Sequence, residues 1–218
     1  MAEVGRVRTS ELIAALAADP VPKPILLGRR VAVALVIGLV GSLALYGLLL
    51  RPRPDIDEAM GTMRFGLKFV DSLAFALPSL LLTLRLARPD ARPSALALWL
   101  LAPFLLLAAG VVAELWLVPQ SAWMSRLIGT NSMHCTTMIP MLAAPILAAL
   151  IVALRAGAPL HPALTGALAG AASAGVAALL YASTCPDDSP LFVATWYPLA
   201  TLICIGVGAL AGRRFLAW

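Results

Sequence analysis

VAVALVIGLVGSLALYGLLL, residues Val31 to Leu50, carries no charged side chain across its whole length. A helix rises about 1.5 Å per residue, so a run of roughly 20 residues covers a hydrocarbon core of about 30 Å. Lipid offers backbone N–H and C=O groups no partner. The alternating pattern of a barrel strand is absent, so the run reads as a membrane-spanning helix. Further runs of the same character lie near residues 67–86, 94–118, 136–154, 162–183 and 191–212. Composition agrees, with 61% hydrophobic residues, 12% charged residues and a mean hydropathy of +0.93. The expected fold class is an all-α integral membrane protein, a six-transmembrane helix bundle preceded by a short N-terminal helix.

The chain is basic, with a pI near 9.6, but the placement of its cations argues for topology rather than nucleic acid. Of 16 Lys and Arg, only Arg51, Arg53, Arg64, Lys68 and Arg126 fall in the segments on one side of the spans. The remainder lie on the side of the N-terminus, which predicts that both termini are cytoplasmic. No basic stripe with interleaved aromatics exists, and nucleic-acid binding is excluded on that ground.

Residues 1–30 form the one sizeable polar segment, and residues 31–218 the membrane domain. The lead is too long and the first span too complete for a cleaved signal peptide. Within the lead, Thr9-Ser10 suits a helix cap, and Asp19-Pro20 a stop. Leu12, Ile13 and Leu16 then make one small apolar stripe. So short a helix is marginal alone, and its stripe must meet headgroups, the membrane domain or a partner. Pro20, Pro22 and Pro24 predict a stiff spacer before the anchor Arg29-Arg30.

Arg51 to Gly66 reads as a solvated connector. Lys68 and Asp71, at i and i+3, can pair on one helical face near the membrane boundary, where long side chains snorkel to water. Glu114 has the same standing and could face Arg126 or His134. Pro140 and Pro145 predict a bent fourth span. Gly166 to Gly170 and Gly208 to Gly212 supply small faces on which the fifth and sixth spans approach closely. A homodimer is also compatible with such faces.

Two segments carry candidate chemistry: Met133-His134-Cys135-Thr136-Thr137 and Ser183-Thr184-Cys185-Pro186-Asp187-Asp188. They sit at the same end of antiparallel spans, so both thiols are expected at the outer face. A structural disulfide is one reading, although packed helices stand wider apart than a disulfide wants. A redox sensor is a second. A soft-metal site for Cd, Cu(I) or Zn is a third, with Cys135, Cys185 and His134 as an incomplete ligand set near Met133 and Met138. Cys204, in the middle of the last span, reads as packing. No nucleophile, base and orienting group can be assembled, so no enzyme and no resident cofactor are expected. A small transporter or thiol oxidoreductase is the alternative, but charges lie near span ends and no C-x-x-C occurs.

The tail from Thr9 to Asp19, the Cys135 segment through Ile139-Pro140-Met141-Leu142, the turn Leu154-Arg155-Ala156-Gly157-Ala158-Pro159, and above all Cys185-Pro186-Asp187-Asp188-Ser189-Pro190-Leu191-Phe192 with Trp196-Tyr197-Pro198 resemble the NrsF family. That family comprises bacterial membrane anti-sigma factors acting on SigF-type extracytoplasmic-function sigma factors. The resemblance implies six spans in the inner membrane and a cytoplasmic segment that holds the sigma factor. It also implies that two outward cysteines, Cys135 and Cys185, register metal or oxidative stress. It gives His134 no fixed partner.

Overall fold

The computed structural model describes residues 8–18, 27–89 and 95–217; of Leu16 only the backbone is described. The expected stop at Asp19-Pro20, the proline spacer and the charges at Asp90 and Arg92 lie outside the described residues. Among the described residues the chain is helical, with six helices long and apolar enough to cross a membrane.

Helix α1 (Thr9–Ala18) forms within the polar lead, as expected of a short N-terminal helix. Its cap differs from the expected one. Thr9 and Ser10 are already helical, and the Glu11 carboxylate reaches back to accept from the Arg8 N–H at 3.4 Å. That is the return half of a capping box, and it satisfies an N–H that helix geometry leaves free. Leu12 and Ile13 are 52% and 61% exposed, so no part of the described chain covers their stripe.

The spans are α2 (Leu27–Leu49), α4 (Met63–Leu86), α5 (Leu101–Leu117), α7 (Ser132–Leu154), α8 (Pro162–Ala182) and α9 (Pro190–Phe215). A tighter turn of 3-10 helix, Ala95–Leu100, leads into α5, and the short helices α3 (Ile56–Met60) and α6 (Trp123–Ile128) cap one end of the bundle. Pro162 and Pro190 occupy the first turns of α8 and α9, where the missing N–H costs nothing. Helix α7 runs unbroken from Ser132 to Leu154 through both prolines. Next to the carbonyl that Pro145 deprives of a donor, Ser42 of α2 donates to Leu142 O at 2.6 Å.

Helix α8 is the axis of the bundle and packs on α9, α4 and α7. Its buried positions are almost all Ala, Gly or Ser. Small side chains let backbones approach, and dispersion between close backbones replaces the hydrophobic drive that lipid removes. The glycines expected to face each other do so. A Cβ on Gly166 would strike Gly208 O, one on Gly170 would strike Cys204 O, and one on Gly212 would strike Pro162 O. Helix α2 lies against α7 through Gly38, where a Cβ would come within 2.6 Å of Ile146 Cα. Helix α5 leans on α4 and α9 and is mostly exposed, as suits a helix facing lipid. At the end opposite the thiols, Ala158 N–H donates to Ala87 O at 3.1 Å and ties two connections together.

Candidate functional site

Cys135 in the first turns of α7 and Cys185 just beyond α8 meet in one buried cluster with Tyr181, Phe192, Val193 and Tyr197. Both are unbonded. Cys135 is 0% exposed and Cys185 1% exposed. The expectation that both thiols reach the outer surface is therefore corrected: they lie at one end of the bundle, but beneath it. The reason is the loop between α8 and α9, which folds over them.

That loop is held by charge. Lys68 of α4 is 1% exposed. Its ammonium donates to Cys185 O at 2.9 Å and Asp187 O at 3.3 Å, and pairs with Asp188 at 2.6 Å. Lys68 neither snorkels nor pairs with Asp71, contrary to the spacing argument. Three oxygens from the facing loop outcompete one carboxylate on its own helix, because a buried ammonium must satisfy three donors at once. Arg53 sits beside it, donating to Asp188 at 2.7 Å and to both Asp55 oxygens at 2.8 and 2.7 Å. The connector from Arg51 is thus not simply solvated, since Arg53 is buried and braces the loop. Hydrogen bonding from Arg53 is the first cause holding the Asp55 carboxyl down at about 2, and partnership with Asp55 raises the Arg53 guanidinium.

Asp187 is fixed from the other side. Its carboxylate accepts from the Thr130 and Asn131 N–H groups at 3.0 and 2.9 Å. Gly129 delivers those two N–H groups by adopting φ +59°, and a Cβ there would strike the Phe192 ring. Glu114 secures the far end of the loop. It accepts from Ser189 Oγ at 2.6 Å, Leu191 N at 3.1 Å and Arg126 at 2.8 Å. Of the two partners weighed for Glu114, the structure gives Arg126. Trp196 Nε1 donates to Leu127 O at 2.8 Å and ties α6 to α9.

His134 is exposed, with its ring centroid 6.1 Å from that of Tyr181. One residue along a helix turns a side chain by about 100°, so His134 and Cys135 leave α7 on different faces. Among the described residues no group of three or more His, Cys, Asp or Glu is placed to hold a metal ion. Burial raises the Cys185 thiol above its ordinary value, partly offset by the Lys68 ammonium and a backbone hydrogen bond at Asp187. A protonated, covered thiol is slow to react until the loop lifts. Cys204 is buried in α9 and offers its carbonyl to the Gly170 contact.

The bracing residues Arg53, Lys68, Glu114 and Gly129 carry no motif. One signal was available: Gly129-Thr130-Asn131 is a turn-rich triplet before a span, and Asp187-Asp188 puts two carboxylates on the end that holds the sparse cations.

The profile of the family described as "Negative regulator of sigma F", NrsF, matches residues 16–218. The chain is 33% identical to the "Probable anti-sigma-F factor NrsF" of Azospira oryzae, over 97% of this chain and 100% of that protein. It is 34% identical to the "Anti-sigma-F factor NrsF" of Caulobacter vibrioides, over the same shares of 97% and 100%. No solved structure matches the chain.

Proposed function

The chain belongs to the NrsF family of negative regulators of sigma F, and from that premise we propose a transmembrane anti-sigma factor that holds an extracytoplasmic-function sigma factor at the cytoplasmic face of a bacterial inner membrane. The excess of Lys and Arg on the side of the N-terminus supports a cytoplasmic α1, whose Leu12, Ile13 and Leu16 form the contact stripe. Cys135 and Cys185 lie beneath the loop at the opposite end of the bundle, and once that loop lifts they register oxidants or soft metals such as Cd, Zn or Cu(I).

The observation that carries the sensing half is the shared burial of the two thiols under a loop braced by Lys68 and Arg53. Any adduct, metal or disulfide at either sulfur changes the volume and geometry of that buried cluster. The loop must then shift, and the loop joins α8 to α9, the most closely packed pair in the bundle. Release of the sigma factor follows from that repacking.

The partner is tested by purifying the tagged full-length protein from mildly solubilised membranes of its own bacterium and identifying what accompanies it. A sigma factor is expected, present before stress and lost after it. Recovery of the regulator in good yield without any sigma factor would overturn the assignment.

A further inference from the structure

Helices α7 and α9 both begin at the thiol end and run side by side, and a groove of about 430 Å³ lies between them. Its walls are apolar, with Leu147, Ile151 and Val152 on α7 and Ile203, Val207 and Phe215 on α9. Val152, Ile203, Val207 and Phe215 are exposed, so the groove opens toward the surrounding membrane rather than into the core. It starts near the middle of both spans, at Pro140 and Ile203, and ends at Arg155 and Phe215. At 1.5 Å per residue its walls follow the helices for about 18 to 22 Å, the depth of one leaflet with its headgroup boundary.

Cations close the groove at the end away from the thiols. Arg155 lines it, and the Arg214 guanidinium stands 5.8 Å from the centroid of the Phe215 ring. Both arginines are exposed, and neither has a carboxylate partner among the described residues. At the thiol end the pattern is the reverse, since Arg53, Arg64, Lys68 and Arg126 each pair with an Asp or a Glu. From Leu27 onward every described Asp and Glu lies in the thiol half of the bundle, so the described membrane domain supplies Arg155 and Arg214 with no anion.

A groove that is apolar along one leaflet and cationic at its mouth matches a ligand in two parts, an acyl chain ending in a phosphate. We propose that it holds one anionic phospholipid from the leaflet on the side of the N-terminus. An acyl chain lies along α7 and α9, and the headgroup phosphate sits at Arg155 and Arg214. Guanidinium groups present a planar fork of donors that suits phosphate oxygens, and basic pockets between spans are where anionic headgroups bind. A second copy of the chain fits less well, because a two-fold interface across the groove would set its unpaired arginines against their own copies. Ala143 and Cys204 on the groove wall belong also to the buried cluster around Cys135 and Cys185, so the lipid touches the core that the thiols share. The site rests neither on thiol sensing nor on the sigma factor.

The test uses the purified full-length protein in mild detergent, titrated with phosphatidylglycerol or with phosphatidylethanolamine of the same acyl chains. Native mass spectrometry counts the lipids retained per chain. One phosphatidylglycerol per chain is expected, held about tenfold more tightly than phosphatidylethanolamine. Arg155→Gln with Arg214→Gln should remove that preference. Arg29→Gln with Arg30→Gln deletes the same charge at the same end but outside the groove, and should keep it. Ala148→Phe, at an exposed position on the groove wall, fills the space of the acyl chain and should weaken retention of both lipids. Equal retention of the two lipids by the wild type would overturn the proposal, as would equal loss of preference in the two arginine pairs. Unchanged retention in Ala148→Phe would overturn the acyl-chain seat. A dimer that excludes lipid and is broken by Ala148→Phe would overturn the proposal in favour of a second copy.

Discussion

Lys68 carries more of the loop's geometry than any other single side chain, because its ammonium bonds two carbonyls and a carboxylate that lie 117 to 120 positions along the chain. Removing one partner of a buried pair leaves the other uncompensated, at a cost of about 3–5 kcal/mol. Lys68→Met should therefore lower stability by that order in a detergent unfolding titration, and adding Asp188→Asn should recover part of the loss. Equal stability of the single mutant and wild type would remove Lys68 from its role as brace. Cys185 adds a dependence on pH. Its thiol keeps its proton more tightly folded than unfolded, so its contribution is fully present below the ordinary value of 9.0 and is lost as pH climbs above it. Alkylation by an impermeant maleimide at neutral pH should be slow on the native protein and fast once it is unfolded. Rapid labelling of native Cys185 would contradict the closed loop. None of these pairings was legible in the sequence, since no local spacing states which distant carbonyl a lysine will meet. The i, i+3 rule favoured Asp71, and tertiary partners prevailed.

The spans, by contrast, were readable almost to their ends, because each is a run whose length is dictated by the thickness of a bilayer and whose backbone can only be helical there. The differences fall at boundaries: α2 begins at Leu27 and α7 at Ser132, each ahead of its apolar run, since polar residues can occupy a helical turn at the water interface. Short helices α3 and α6 were missed because too few residues separate the spans to show a period. The close seam between α8 and α9 was legible from its glycines alone. Gly170→Ala places a methyl against Cys204 O, and backbone cannot give way as a side chain would. Overpacking of that kind costs about 1–3 kcal/mol. The variant should unfold earlier in the same titration, while Gly206→Ala, whose Cβ meets nothing within 4 Å, should not. For α1, exposed Leu12 and Ile13 and the position of Leu16 motivate Leu12→Asp with Leu16→Asp. Each buried contact contributes about 1.5 to 3 kcal/mol at most, so the pair should abolish a micromolar grip and raise sigma-dependent transcription without stress. Unchanged transcription at normal membrane abundance would move the contact elsewhere.

At the scale of the whole molecule the question is whether the thiols are a staple or a trigger. In the structure they are unbonded and covered, and the loop above them is held by ion pairs rather than by sulfur. A staple would make the fold depend on a bond whose removal typically costs about 2–5 kcal/mol, so either serine variant would fall in abundance. A trigger makes a different prediction. Cys135→Ser and Cys185→Ser nearly preserve volume and delete the thiol's affinity for oxidants and soft ions, so both should accumulate normally and hold the sigma factor, yet fail to release it under cadmium or oxidant. Cys204→Ser separates the pair from thiols in general. It lies in the apolar interior of α9, beyond the reach of hydrated ions, and should respond as wild type does. Induction of sigma-dependent genes, read beside membrane abundance for all three variants with and without stress, tells the two apart. Normal abundance with normal induction in both Cys135→Ser and Cys185→Ser would exclude trigger and staple together. The braced loop would then be architecture alone, and the stimulus would have to enter elsewhere.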